Sequence, residues 1–170
     1  MRVPARLVSV AILLAGSSAA NAETMASFEV AAEIVPGCAV SADAGGNWGH
    51  IDFGTLDGIG TATAEAALVS SGGAGIAISC TPGIDVALVA DTGNHALSEQ
   101  RHLRRSGGEE TIGYELFVTD QRIAWSTEPV TLRFDLGTSS LLIPVHAKAT
   151  LPGPMAAGTY SDTVRVTISW

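Results

Sequence analysis

Apolar and polar residues alternate with a period of two along most of this chain, and this pattern constrains the fold more than any other feature. Successive strand residues point to opposite faces, so such alternation predicts strands that are buried on one face only. The alternating runs are 28–34, 76–80, 84–90, 112–118, 132–136, 143–147 and 164–170. Glycine and proline lie between the runs, as in Thr81-Pro82-Gly83. Many short strands separated by such turns predict an all-β sandwich.

One alanine-rich stretch, residues 61–69, is ambiguous. Its alanines are compatible with a helix, whereas Thr63 and the neighbouring glycines are equally compatible with a strand or an irregular loop. No segment keeps a 3.6-residue apolar period for three turns. The 170 residues, 46% of them hydrophobic, suffice for one domain with a real core and are too apolar for a disordered chain.

The charge balance excludes one class of function. Nine Lys and Arg residues stand against 17 Asp and Glu residues, which gives a net charge of −8 at pH 7. Nucleic-acid binding depends on neutralising phosphates with basic side chains, so no nucleic-acid partner is expected. The one basic cluster contains Arg101, Arg104 and Arg105 and is flanked by glutamates. We interpret this cluster as a solvated turn rather than an anion site.

The first 22 residues have the pattern of a signal peptide. Arg2 and Arg6 precede a short apolar run, and Ala20-Asn21-Ala22 has the small-x-small form of a signal-peptidase site. We therefore expect cleavage after Ala22 and export of the mature chain. No later stretch is apolar over about 18 consecutive residues, so no membrane span is expected in the mature chain.

Export into an oxidising compartment changes how the two cysteines, Cys38 and Cys80, are interpreted. They are expected to form one disulfide, which stabilises the fold by about 4 kcal/mol through the long loop that it closes. A metal site is the competing interpretation. It fails because the sequence has no Cys-x-x-Cys pair and its four histidines have no ligand spacing. No metal or other cofactor is expected.

The two ends of the mature chain differ in a way that suggests strand exchange. The last strand runs to Trp170, which suggests an edge that another strand must cover. A sandwich that lacks one strand exposes such an edge and a groove, and an apolar stripe from a neighbouring subunit can fill both. The stripe near the N-terminus consists of Phe28, Val30, Ala32 and Ile34. The alternative is that residues 26–35 form the first strand of their own domain.

No motif indicates an enzyme. The sequence has no Gly-x-Ser-x-Gly elbow, no His-Glu-x-x-His pair and no Walker A loop. Asp52 is interpreted as a turn residue at a strand end and His50 as a solvated loop residue. Trp48, Trp125 and Trp170 are candidates for a sugar-binding platform, but packing in the core or in the groove is the simpler interpretation.

The chain resembles the spore coat protein U family, which contains the subunits of archaic, Csu-type chaperone–usher pili. The resemblance covers nearly the whole mature chain, and it rests on the order of its segments more than on any one of them. The segments are Phe28-Glu-Val-Ala-Ala-Glu-Ile-Val, Cys38-Ala-Val, Ile51-Asp-Phe-Gly54, Ile76-Ala-Ile-Ser-Cys-Thr81, Ile112-Gly-Tyr-Glu-Leu-Phe117, Asp120-Gln-Arg122 with Trp125, Pro144-Val-His-Ala-Lys148 and Gly158-Thr-Tyr-Ser-Asp-Thr-Val-Arg-Val-Thr-Ile-Ser-Trp170. The C-terminal segment is the best match.

The resemblance implies an incomplete immunoglobulin-like β-sandwich that is completed by a donor strand. It implies a periplasmic chaperone that lends a strand to each subunit. It also implies an outer-membrane usher that exchanges that strand for the arm of the next pilus subunit, in a homo- or heteropolymer. The chain then divides into a signal peptide (1–22), an N-terminal donor-strand arm (23–36) and a sandwich domain (37–170).

The resemblance also implies roles for individual residues. Cys38 and Cys80 match the family disulfide, and Phe28, Val30, Ala32 and Ile34 match the donor stripe. The terminal strand, which borders the groove and contacts the chaperone, is matched by Val164, Val166, Ile168 and Trp170. No catalytic or cofactor-binding residue is implied.

The expected function is therefore structural. The protein is expected to be exported through the periplasm and to form part of a surface pilus or fimbria that supports adhesion or biofilm formation. Two alternatives stay open at the level of sequence. One is a secreted coat protein that is completed by its own arm, and the other is a lectin-like binding module.

Overall fold

The structure, a computed structural model, describes residues 25–170. The expected signal peptide and its cleavage site lie outside the described residues. The chain divides into two units, residues 1–33 and residues 34–170. The described part of the first unit, residues 25–33, contains no helix or strand, and every residue from 25 to 36 is exposed.

The second unit consists of β-strands joined by turns and loops. Residues 34–170 contain 13 strands and no helix, which confirms the predicted all-β class. The strands are β1 (Cys38–Val40), β2 (His50–Ile51), β3 (Ala62–Val69), β4 (Ile76–Cys80), β5 (Asp85–Ala90), β6 (Arg101–Arg105), β7 (Thr111–Val118), β8 (Ile123–Ala124), β9 (Val130–Arg133), β10 (Ser140–Ile143), β11 (Val145–Leu151), β12 (Tyr160–Ser161) and β13 (Val166–Ser169). Among the described residues, no helix is long and apolar enough to cross a membrane.

The strands form three antiparallel sheets around one core. A seven-stranded sheet has the order β12-β6-β7-β11-β3-β2, with β8 also paired to β7. The two smaller sheets have the orders β1-β4-β10 and β13-β5-β9. Buried side chains from all three sheets belong to a single apolar cluster, as expected for sheets packed face to face. The predicted sandwich architecture is thus present.

The alternation in the sequence becomes alternation of burial in the strands. In β7, Ile112, Tyr114, Leu116 and Val118 are buried, and the residues between them are half-buried or exposed. In β5, Val86, Leu88 and Ala90 have no exposed surface at all. The apolar faces of these strands therefore build the core, in agreement with the pattern. The ambiguous stretch 61–69 is also a strand, since β3 covers most of it.

Pro144 divides one alternating run between two sheets. The residues before it form β10, which pairs with β4, and the residues after it form β11, which pairs with β3 and β7. Proline has no backbone N–H to donate to a ladder, so it is well placed at such a change of partner. Gly75 lies against this corner with a φ of 142°, and a Cβ there would be 2.3 Å from the carbonyl oxygen of Ile143.

Cys38 and Cys80 form a disulfide in the structure. The two residues are directly opposite each other in the antiparallel ladder between β1 and β4. The bond joins the start of the edge strand β1 to the end of the buried strand β4, and Cys80 itself belongs to the core. The crosslink therefore joins the first strand of the second unit to the middle strand of the β1-β4-β10 sheet.

The interpretation of the basic cluster as a solvated turn is wrong. Arg101, Arg104 and Arg105 lie in strand β6, and Arg101 is buried. The turn follows the strand, where Glu109 and Glu110 form ion pairs with Arg104 and Arg105. The sequence does not reveal this burial, because Arg101 is hydrogen-bonded to backbone carbonyls, and every residue type has a backbone carbonyl.

Candidate functional site

A groove with a volume of about 760 Å³ opens in the second unit. Two segments that are distant in sequence line it, and we call them the N-terminal rim (residues 46–51 and 53) and the C-terminal rim (residues 162–167). The buried side chains that line the groove come mostly from β4, β7 and β11. They are Ile76, Tyr114, Leu116, Trp125, Val145 and Ala147. The groove is therefore mostly apolar at its base.

Each rim contains a strand with one unpaired edge. Strand β2, in the N-terminal rim, pairs only with β3 and is the last strand of the seven-stranded sheet. Strand β13, which begins in the C-terminal rim, pairs only with β5 and is the last strand of its own sheet. Within residues 34–170, the second edge of each strand has no ladder partner. Unpaired N–H and C=O groups on such edges can accept an additional strand.

The C-terminal rim is held by the carboxylate of Asp162, whose side chain is only 2% exposed. Oδ1 of Asp162 accepts hydrogen bonds from the backbone N–H groups of Asn94 at 2.9 Å and His95 at 3.1 Å. Oδ2 accepts the hydroxyl hydrogen of Tyr114 at 2.7 Å. The first residue of the rim is thereby tied to the loop after β5 and to the centre of β7.

Tyr114 belongs to both the core and the groove. Burial raises the pKa of its hydroxyl well above the usual range, and the hydrogen bond to Asp162 adds to this effect. The hydroxyl is therefore a permanent donor at ordinary pH. Gly93 leaves space for the carboxylate that receives this bond, because a Cβ at position 93 would be 2.0 Å from Oδ2 of Asp162.

A second carboxylate, that of Asp91, holds the middle of the same rim. Its Oδ1 accepts the backbone N–H of Arg165 at 2.9 Å and that of Gly93 at 3.0 Å. The backbone N–H of Asp91 in turn donates to the carbonyl of Arg165 at 2.9 Å. These contacts are all on the β5 side of the rim, so the edge that faces away from β5 stays free.

Arg101 fixes the base of the groove from within the core. Its guanidinium donates to four backbone carbonyls, those of Ala90, Asp91, Trp125 and Ser126, at 2.6–3.2 Å. Burial lowers the pKa of this group. Because Trp125 lines the groove, Arg101 connects the end of β5 to the groove wall. Sequence reasoning missed this role, since the four carbonyls lie in segments far apart along the chain.

The expected groove residues differ in their positions. Val164 and Val166 are half-buried and line the groove. Ile168 is half-buried in β13, and Trp170 is 58% exposed, but neither belongs to the groove lining. The involvement of all four residues in chaperone contact stays a prediction.

The expected donor stripe is exposed. Phe28, Val30 and Ile34 are 88%, 83% and 85% exposed, and Ala32 is exposed as well. Residues 25–37 form no strand. The structure therefore lacks the strand that the alternative assigns to residues 26–35 as the first strand of their own domain. The donor role of the stripe stays a prediction.

The tryptophans do not form a common platform in the described structure. Trp125 is buried, Trp48 is half-buried in the N-terminal rim, and Trp170 is outside the groove. Asp52 behaves as predicted, because its Oδ1 accepts the backbone N–H of Gly54 at 2.8 Å in a tight turn. Within residues 25–170, no group of three or more His, Cys, Asp or Glu side chains is placed to hold a metal ion.

The fold and the groove together define a class of protein, a β-sandwich that presents open strand edges. The comparison with known families makes the assignment specific. The model of the Spore Coat Protein U domain matches residues 24–167, and the chain belongs to this family. The family consists of structural proteins without enzymatic activity. No curated protein matches the chain.

Two solved structures contain chains with a similar fold. One is the CsuC–CsuE chaperone–tip adhesion subunit pre-assembly complex from the archaic chaperone–usher Csu pili of Acinetobacter baumannii, with a TM-score of 0.51 and 16% identity over 81% of this chain and 40% of that chain. The other is a chaperone–tip adhesin complex of CFA/I fimbriae biogenesis, with a TM-score of 0.51 and 10% identity over 78% of this chain and 41% of that chain. The present chain thus spans about two fifths of each matched chain. Similarity at such low identity shows a shared fold.

Proposed function

We propose that this protein is a structural subunit of a surface pilus or fimbria that is assembled by chaperone–usher donor-strand exchange. The observation that carries the proposal is the groove between two unpaired strand edges, in a chain that also carries an exposed apolar stripe with strand periodicity. A strand inserted in the groove would complete both edges at once. Two further observations support the proposal. The chain belongs to the Spore Coat Protein U domain family, and its fold is similar to that of chains in two chaperone–tip subunit complexes.

The stripe and the groove agree in length. At about 3.3 Å per strand residue, the six residues of the C-terminal rim span about 20 Å, and the seven residues from Phe28 to Ile34 span about 23 Å. The groove base is apolar, as is the stripe. Burial of the four stripe side chains would contribute about 6–10 kcal/mol, an upper bound because the free arm is not fully extended.

The same geometry explains why assembly needs partners. A contact in which the arm of one subunit fills the groove of the next is heterologous, so it propagates as a filament and does not close into a ring or dimer. Before assembly, the apolar groove needs cover, which a strand from a periplasmic chaperone supplies. An outer-membrane usher then exchanges that strand for the arm of the next subunit. The filament at the cell surface supports adhesion or biofilm formation.

The test is polymerisation of the full mature chain co-expressed with its chaperone and usher. We expect a ladder of multimers that resists SDS without heating and collapses on boiling. Val30→Asp should abolish the ladder, because it places a charge in the apolar groove. The matched control is Ala31→Asp, which places the same charge on the opposite face of the arm and should preserve the ladder.

Two results would contradict the proposal. One is a single monomer band from a folded native chain that needs no chaperone. The other is an equal ladder for Val30→Asp and Ala31→Asp, which would show that the stripe does not enter the groove. The adhesion role has a separate readout: cells that lack the subunit should attach less to a surface than cells complemented with the native gene.

A further inference from the structure

The C-terminal rim has an outer face as well as a groove face. Val164 and Val166 are half-buried and pack against the core, whereas Thr163, Arg165 and Thr167, which alternate with them along the same rim, are exposed. Arg165 occupies the middle of this outer face, and its side chain is 70% exposed. The centre of the rim therefore presents an exposed arginine beside the free edge, and this arginine also forms an ion pair with Asp91.

The guanidinium of Arg165 is only partly satisfied. Nη1 donates to Oδ1 of Asn94 at 3.1 Å and lies 3.4 Å from Oδ2 of Asp91. Nε and Nη2 have no hydrogen-bond partner among residues 25–170. Two donor groups of an exposed arginine next to an unpaired strand edge are thus available for an acceptor on whatever strand lies there.

The arm has an acidic face opposite its apolar stripe. Glu29 and Glu33 alternate with the stripe residues and are separated by Ala31. When the stripe faces a groove, the period of two turns both carboxylates outward, to the same side as Arg165. The arm of a second copy therefore presents carboxylates on the side where the C-terminal rim presents the guanidinium of Arg165.

We propose that Arg165 recognises the acidic outer face of a second copy's arm by pairing with its Glu29 and Glu33. The inference rests on the proposed function. In the register that this pairing requires, Ala31 lies opposite Arg165, and each glutamate is two residues away on the neighbouring strand. Long side chains reach across this diagonal separation. Because the glutamates flank Ala31 symmetrically, the contact forms whether the arm runs parallel or antiparallel to the rim.

This pairing gives the groove a preference that apolar side chains alone do not supply. Any strand with small and large apolar residues in alternation fits an apolar groove. A basic residue at either outward position of the donor would repel Arg165, and a neutral residue would leave its donors to water. The rim thus selects arms with carboxylates on both sides of the central residue, as in this chain.

The experiment measures how fast a peptide of residues 23–36 releases the chaperone from its complex with the full mature chain. With the native peptide we expect release, and a peptide with E29K and E33K should act about tenfold more slowly, since two attractions become repulsions. Arg165→Glu in the chain should slow the native peptide by a similar factor and restore the action of the lysine peptide. All these differences should shrink at about 1 M salt, where exposed charges are screened.

Arg133→Glu is the matched control. Arg133 is also an exposed arginine, at 60%, but it lies in β9, outside the groove, so its reversal should not change the preference between peptides. The peptide comparison on the native chain needs no change in the folded protein, so it holds even where Arg165→Glu folds poorly.

Two failures are distinguishable. If the native peptide releases no chaperone at any salt concentration, both the proposed function and the inference fail. If native and lysine peptides act equally on the native chain, or if Arg165→Glu does not invert their order, the inference fails and strand exchange stands.

Discussion

Strand β7 and the N-terminal arm carry the same sequence pattern but have opposite environments. In β7, Ile112, Leu116 and Val118 are at most 6% exposed. In the arm, Phe28 and Val30 are more than 80% exposed. Both segments alternate apolar and polar residues over seven or eight positions. Alternation therefore predicts which face of a strand is suited to burial, but it does not specify which chain buries that face.

The difference lies in the partners of the two segments. β7 has β6 and β8 along one edge and β11 along the other, so its backbone groups and its apolar face are both satisfied within the unit. Residues 25–37 form no strand and have no ladder. The proposed function assigns this segment, which has strand periodicity and no strand partner among the described residues, to the groove of another subunit.

The largest expected effect comes from matched truncations in the two segments. Leu116→Ala removes a buried side chain and should lower the free energy of unfolding by about 2–5 kcal/mol, because it leaves a cavity in the core. Phe28→Ala removes an exposed side chain and should leave the free energy of unfolding unchanged, while the SDS-resistant multimers are lost. Urea unfolding of the chaperone-bound mature chain and unheated gels measure the two quantities.

A different result would contradict the difference that we infer between the arm and β7. If Phe28→Ala destabilised the chaperone-bound mature chain as much as Leu116→Ala, the arm would pack on its own sandwich. The protein would then be a self-completed coat protein of the same family. Retention of glycan binding after deletion of the arm, with loss on changing Trp48, would instead favour the lectin-like alternative.

The strands of the core could be predicted from sequence, because burial on one face leaves a period of two in the residue types. The runs 76–80, 84–90 and 112–118 all became strands with the expected face inside. Leu136 is one of the exceptions, since it continues the alternation of 132–136 but follows the end of β9 and is 88% exposed. Alternation marks strand faces well and strand ends poorly.

The groove could be predicted only in part. An open edge near the C-terminus followed from the terminal strand, and Val164 and Val166 do line the groove. The N-terminal rim was not predicted, because its strand β2 has only two residues and too little sequence to show a period. Asp162 and Arg101 were missed because their partners are backbone groups and a tyrosine far away in sequence, which no local pattern encodes.

A smaller effect on the free energy of unfolding tests how β7 supports the C-terminal rim of the groove. Tyr114→Phe removes the hydroxyl that donates to the buried Asp162, so one acceptor of the C-terminal rim loses its partner. We expect a loss of about 1–3 kcal/mol in the free energy of unfolding. The matched control is Tyr160→Phe, which removes an exposed hydrogen bond to the carbonyl of Ala156 and should cost much less. Equal losses for the two tyrosines would mean that Asp162 does not depend on Tyr114.

The smallest expected effect concerns the turn that leads into β7, and it depends on pH. The hydrogen bond from Arg105 holds the pKa of the Glu110 carboxyl below its ordinary value of 4.5. A carboxyl with a lowered pKa in the folded state stabilises the fold above the unfolded-state pKa, and this contribution is lost as the pH falls through the folded-state value. Native protein should therefore be slightly more stable than Glu110→Gln at pH 7, and this difference should shrink as the pH falls below 4.5, as measured by urea midpoints. Glu109, whose side chain is 90% exposed, provides the control, since Glu109→Gln should change neither midpoint. A difference between native protein and Glu110→Gln that does not shrink as the pH falls would mean that the side chain supports the turn by packing and not by its charge.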